Sequence, residues 1–248
     1  MKIIGVIPAR YQSSRFPGKP LAVIKGMPMI CWVYQQVKKV ELFDAVYVAT
    51  DSELIYNVCL NNNINVLMTS DKHKTGTDRL GEVAKLISAD FYVNIQGDEP
   101  LIEPETIRKI VSYKLLHPDV NVINSMTKLR SDDSVTSNTI VKVVAAENED
   151  LIYLSRAPIP YPKNNQKVDY FKHLGLYGLS SEALTFFSNS ERTKNELVED
   201  IEMLRFLESG YTIKIIDVNS RTIGVDVPED IIKVENEMDK LGIDYNDC

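Results

Sequence analysis

IIGVIPARYQSSRFPGKP, residues 3–20, is the stretch on which the fold turns. Ile3-Ile4-Gly5-Val6-Ile7 is short, β-branched and not alternating, which is how a strand covered on both faces of a parallel sheet reads. Pro8 is expected to stop it. The polar loop beyond carries Arg10, Arg15 and Lys19 among the small or turn-forming Ser13, Ser14 and Gly18. Cations grouped directly after a first strand suit a polyphosphate held by basic side chains and exposed backbone N–H groups. A solvated basic loop is the plainer alternative. Neither the Walker A spacing nor the dinucleotide glycine fingerprint is present.

Working outward, Met29 to Val40 carries apolar residues at helical intervals, and AVYVAT (Ala45 to Thr50) reads as a second buried strand ahead of Asp51. The alternation continues through a helical Leu54 to Leu60, a strand Asn65 to Met68, a helical Asp78 to Ser88 and a strand Phe91 to Ile95. Pro104, flanked by Glu103 and Glu105, starts a helix that runs to about Leu116. Such units predict an α/β protein with three layers: a mostly parallel, Rossmann-like sheet with helices on both faces. Residues 121–175 read as an irregular excursion from that sheet, with strands Val120 to Met126 and Ile140 to Ala146, and suit dimerisation. A helix around Val198 to Glu208, a strand Thr212 to Val218 and a last helix near Pro228 complete a single domain over residues 1–248.

Composition narrows the function. With 28 Lys and Arg against 35 Asp and Glu, the net charge of -7 gives no general attraction to nucleic acid, so any bound anion needs a local basic cluster. Cys31, Cys59 and Cys248 lack the spacing of a zinc site or a disulfide framework. MKIIGVIPA has no signal-peptide character and no run of about 20 apolar residues occurs, so a cytoplasmic protein without a membrane span is expected.

In an open parallel sheet, ligands gather beyond the carboxyl ends of the strands. There QGDEP places Asp98 and Glu99, carboxylates suited to Mg²⁺, although Asp, Gly and Pro also make ordinary turns. GVDVPED adds Asp226, Glu229 and Asp230; the last two open a helix, which leaves Asp226 as the better ligand. KTGTDRL sets Thr75, Gly76 and Thr77 ahead of a helix bearing Arg79, a place for an anion or base edge and equally for a plain helix cap. His173, beside Leu174 and Leu176, carries both a structural and a substrate reading.

Taken in order, PARYQSSRFPGKPL, KTGTDRL, NIQGDEPLI, LSRAPIPYP, KHLGLYG and GVDVPED resemble the 3-deoxy-manno-octulosonate (Kdo) cytidylyltransferases, or CMP-Kdo synthetases, from Ile3 to about Val234. The resemblance implies the nucleotide-diphospho-sugar transferase fold with an inserted dimerisation segment, a homodimer, and transfer of CMP from CTP to an acidic 3-deoxy sugar. It implies that Ala9, Arg10, Ser13, Ser14, Arg15 and Lys19 bind CTP together with Thr75, Gly76, Thr77, Arg79 and Gln96. It implies that Asp98 and Asp226 hold Mg²⁺, making Arg10, Lys19, Asp98 and Asp226 the catalytic set. Gln96, Arg156, His173, Tyr177 and Glu202 match positions around the sugar, where Arg156 and His173 are expected to pair with its carboxylate. No side chain is assigned as general base. The chain departs from the family at Met203, where a glutamine is usual, and at Gly178-Leu179-Ser180, and both changes are expected near the sugar. Amino-substituted Kdo or another 3-deoxy sugar acid is the alternative acceptor. A CTP-binding regulator without catalysis is the reading from a different class.

Overall fold

A computed structural model describes residues 1–13, 15–73, 75–130, 133–164, 166–220 and 222–243. The elements run β1 (Ile3–Ala9), β2 (Val23–Ile24), β3 (Met27–Pro28), α1 (Met29–Lys38), β4 (Ala45–Thr50), α2 (Glu53–Asn61), β5 (Val66–Met68), α3 (Gly76–Leu86), β6 (Phe91–Asn94), α4 (Pro104–Leu116) and β7 (Val122–Lys128). They continue as β8 (Lys142–Ala145), β9 (Leu151–Ser155), β10 (Phe171–Ser180), α5 (Ser181–Asn189), α6 (Lys194–Glu199), α7 (Met203–Glu208), β11 (Ile213–Asp217) and α8 (Asp230–Leu241).

The unbroken apolar run of β1 is explained by its neighbours: β4 pairs on one side and β6 on the other, both parallel. Alternate residues serve opposite faces. Ile3 and Ile7 join the core under α1, α2, α4 and α8, while Ile4 and Val6 join the core under α3, α5 and α7. The expected three layers follow. The main sheet has the order β11-β7-β10-β6-β1-β4-β5 and is parallel except at β10, which runs antiparallel to both β6 and β7.

Four sequence expectations are corrected. Pro8 does not stop β1, which continues to pair with β4 through Pro8 and Ala9. Val6 accepts from Ile95 on the β6 side, so Pro8, two residues on, turns its nitrogen toward the same side, past the last paired residue of β6, where no donor is needed. The excursion is narrower than 121–175, because β7 lies inside the main sheet and only β8 and β9 leave its path. The strand β10, not read as a strand from a sequence that carries Gly175 and Gly178, occupies the gap between β6 and β7. The helix read over Val198 to Glu208 is two helices, α6 and α7, broken at Asp200 in the left-handed region (φ 51).

A buried ion pair holds that break together. Glu196 takes both Nε and Nη2 of Arg205, at 2.8 and 2.6 Å, and the guanidinium lies over the Phe187 ring. Among the described residues no helix is long and apolar enough to cross a membrane. Burial pushes the Cys31 and Cys59 thiols up to about 11 and about 12, leaving both poor nucleophiles; Cys248 lies outside the described residues.

Candidate active site

The loop after β1 bends back through Gly18, left-handed at φ 72, into a single turn at Lys19–Leu21. That turn aims the Lys19 ammonium at the carboxyl edge of the sheet. Its Nζ donates to Asp98 Oδ2 at 2.6 Å and to the Val225 carbonyl at 2.8 Å, and stands 4.0 Å from Asp226 Oδ1. Arg15 reaches the same Asp226 oxygen at 2.9 Å. The Val225 N–H donates to the Asp98 carbonyl, stapling the two acidic loops together. Asp98 and Asp226, remote in sequence, therefore face one point. Asp230, by contrast, accepts from the N–H groups of Asp226 and Val227 and is committed to shaping that loop.

Among the described residues no cluster of three or more metal-ligating side chains forms. Two carboxylates drawn together around a cation nevertheless fit a hard ion such as Mg²⁺, whose remaining ligands are commonly substrate phosphates and water. Beside them the Glu99 carboxyl is pushed up to about 8, by burial first and then by the Asp98 charge. Arg10 is exposed and has no partner among the described residues, so its guanidinium is open to an anion. Ser13 instead accepts from the Phe16 N–H and shapes the loop; Ser14 lies outside the described residues.

This charged hollow shares Pro8, Ala9, Arg10 and Gln96 with a larger one of about 370 Å³ over the start of α3. Thr75 and Asp78 cap that helix reciprocally, each accepting from the other's backbone N–H. Arg79 lines the hollow but is already engaged: its guanidinium donates to Asp51 at 2.7 Å and to the Thr69 hydroxyl, tying α3 to the ends of β4 and β5. Thr77 is buried against the Tyr177 hydroxyl at 2.8 Å. His73, Arg192 and Asp200 also line this hollow and were not singled out from sequence. His73 precedes the TGTDR segment and contacts Glu82, an adjacency that offered a signal; the Arg192–Asp200 pair offered none.

A third hollow of about 230 Å³ adjoins the second through Gln96, Tyr177, Asp200 and Glu202, and adds His173, Arg156 and Met203. Asn124 Oδ1 accepts from the Ser125 N–H, so its amide nitrogen faces His173 Nε2 at 2.9 Å. That places the ring hydrogen on Nδ1. Burial holds His173 down to about 4, so the imidazole is neutral near pH 7 and offers a hydrogen bond rather than the ion pair expected with a carboxylate. Arg156 is less free than expected: its guanidinium donates to the carbonyls of Glu199, Asn138 and Asp200, leaving only part of the fork for a ligand. Glu202 has one buried oxygen without a partner, and burial raises its carboxyl above the ordinary range.

The two departures from the family pattern separate. Met203, 2% exposed, lines the third hollow beside Glu202. Gly178-Leu179-Ser180 does not line that hollow: Gly178 makes room for the Phe91 ring, Leu179 is buried, and Ser180 caps α5 by accepting from the Ala183 N–H.

Comparison with known proteins identifies the family. The model of the cytidylyltransferase family matches residues 4–216. The chain is 43% identical over 237 residues to the 3-deoxy-manno-octulosonate cytidylyltransferase of Fusobacterium nucleatum, covering 95% of this chain and 96% of that protein. It is 44% identical to the Parabacteroides distasonis protein of the same name, covering 94% and 96%. A CMP:2-keto-3-deoxy-manno-octonic acid synthetase solved in complex with CTP superposes with a TM-score of 0.93 at 37% identity, covering 97% of this chain and 100% of that one. With its conserved architecture and a family match spanning most of its length, this chain belongs to the cytidylyltransferases, among the 3-deoxy-manno-octulosonate cytidylyltransferases.

Proposed function

We propose that the protein transfers CMP from CTP to the anomeric hydroxyl of Kdo, releasing CMP-Kdo and pyrophosphate. The observation that carries this reading is the convergence of Asp98 and Asp226 on Lys19, in a hollow that shares Gln96 with two others of about 370 and 230 Å³. The anomeric oxygen forms a bond to the α-phosphorus, the bond from that phosphorus to the α,β-bridging oxygen breaks, and the hydroxyl proton passes to solvent. Such a step depends on positioning and on neutralising charge.

The side chains divide that work. Arg10 and Lys19 face the phosphates and offset the charge gathering on the leaving pyrophosphate. Asp98 and Asp226 would hold Mg²⁺, which when bound supplies Lewis-acid charge at the α-phosphate. The ring N–H of His173 and the remaining N–H groups of Arg156 hold the sugar acid, while the unpartnered oxygen of Glu202 accepts from a sugar hydroxyl.

The test is pyrophosphate release with CTP and Mg²⁺ against Kdo, amino-substituted Kdo, a neuraminic acid and a sugar phosphate, with an EDTA control. EDTA-sensitive release with Kdo is expected, and release only with a different acceptor overturns the assignment. Met203 supports amino-substituted Kdo as the second reading, because a thioether in the acceptor wall donates no hydrogen bond to a sugar oxygen. A homodimer in the cytoplasm completes the proposal. Ile152 on β9 and Tyr161 beyond it, 54% and 85% exposed, put apolar surface on the excursion, and sedimentation equilibrium measures the expected dimer.

A further inference from the structure

We infer that Gly175 is a positioning residue for this reaction, acting through Gln96. Gln96 lines all three hollows, the position of a side chain that meets both nucleotide and acceptor. It sits beyond the end of β6, and what holds it comes from the adjacent β10. There the ladder to β7 breaks: Leu174 pairs with Ser125 and Tyr177 with Asn124, so Gly175 and Leu176 bulge out of register. Bulges beside active sites commonly re-aim the local backbone. This one turns the Gly175 carbonyl toward two amides, accepting from Gln96 Nε2 at 3.3 Å and from Asn94 Nδ2 at 3.1 Å.

The absent side chain matters as much as the carbonyl. A Cβ on Gly175 would stand 2.4 Å from Gln96 Cγ, 2.6 Å from Nε2 and 2.8 Å from Cδ, whereas carbon atoms pack at about 3.5–4.0 Å. The backbone of Gly175 is not in the left-handed region, so its conformation admits any residue and the need for glycine is one of space. An added methyl must drive the carboxamide off its carbonyl and into the shared cleft.

The inference rests on CMP transfer taking place in this cleft, and a double-mutant cycle read by steady-state kinetics keeps the two ideas apart. Gly175→Ala is expected to lower kcat on the order of tenfold or more, and by more than it changes KM for CTP, since a displacement of about 1 Å can cost a hundredfold. Gln96→Ala is expected to lower kcat similarly, and the double variant to be no slower than Gln96→Ala alone, because the clashing partner is gone. Multiplying effects, or a Gly175→Ala enzyme within about threefold of the parent, overturn the role of Gly175 while leaving CMP transfer standing. A Gln96→Ala enzyme close to the parent removes Gln96 from the cleft's chemistry and the inference with it. If Gly175→Ala alone fails to fold, a double variant that folds and matches Gln96→Ala still supports the contact; a double variant that also fails locates the clash elsewhere and overturns it. Absence of pyrophosphate release by the parent with every acceptor sinks the functional reading instead.

Discussion

The end of the cleft proposed for the phosphates and the end proposed for the acceptor are built on opposite principles. At the first, the exposed charges of Arg10, Arg15 and Asp226 converge with Asp98 and the mostly buried Lys19. At the second, strands and short helices hold polar groups whose charged forms burial disfavours: the His173 imidazole is neutral near pH 7 and the Glu202 carboxyl is raised from its ordinary value. The first end is suited to a highly charged ligand that brings its own counter-ions. The second suits a ligand read by hydrogen bonds, where each missing partner is costly.

The most severe way to break this comparison is Asp98→Asn. It removes one of the two carboxylates proposed to hold the metal and is expected to lower kcat/KM about a hundredfold or more at saturating Mg²⁺, measured by pyrophosphate release. A variant within tenfold of the parent would show that Asp98 does not hold the metal. Lys19→Ala takes the ammonium from between the carboxylates. Its kcat/KM for CTP should fall roughly tenfold, more than its KM for the sugar changes; the reverse pattern would place Lys19 on the acceptor.

The acceptor end is tested through protons. His173 has a folded pKa of about 4 against an ordinary 6.5, so the unfolded chain binds more protons between those values. Its contribution to stability is present above about pH 6.5 and is lost as pH falls toward 4. His173→Gln should flatten the acid side of a urea-stability profile, by at most about 1.4 kcal/mol per pH unit. An unchanged slope would mean that His173 is charged or exposed. The smallest effect belongs to Met203→Gln, which restores an amide beside Glu202. It should improve kcat/KM for Kdo by about threefold, the scale of one modest hydrogen bond, and a decline would show that the thioether suits this chain's own acceptor.

The same contrast explains what could be read before the fold was known. Strands β1, β4 and β6 and helix α4 were legible because apolar periodicity and a Pro104 helix start are local signals. The clustering of cations in the loop after β1 was legible too, and the structure sets Arg10, Arg15 and Lys19 around one hollow. At the acceptor end Arg156 and His173 were named, but their states were not. The carbonyls that occupy Arg156 come from Glu199, Asn138 and Asp200, and the burial that neutralises His173 comes from packed neighbours. Arg79 was likewise expected on the nucleotide, yet Asp51 and Thr69 already hold it.

By itself, then, the sequence determined the alternation of strands and helices, the buried character of the central strand and the basic character of the loop after it, because each rests on residues close along the chain. Tertiary structure alone decided that Asp98 and Asp226 meet at Lys19, that β10 enters antiparallel between β6 and β7, and that Gly175 leaves room for Gln96. Those outcomes depend on register, burial and dielectric surroundings, which are set by segments distant in sequence and exist only once the sheet has closed around them.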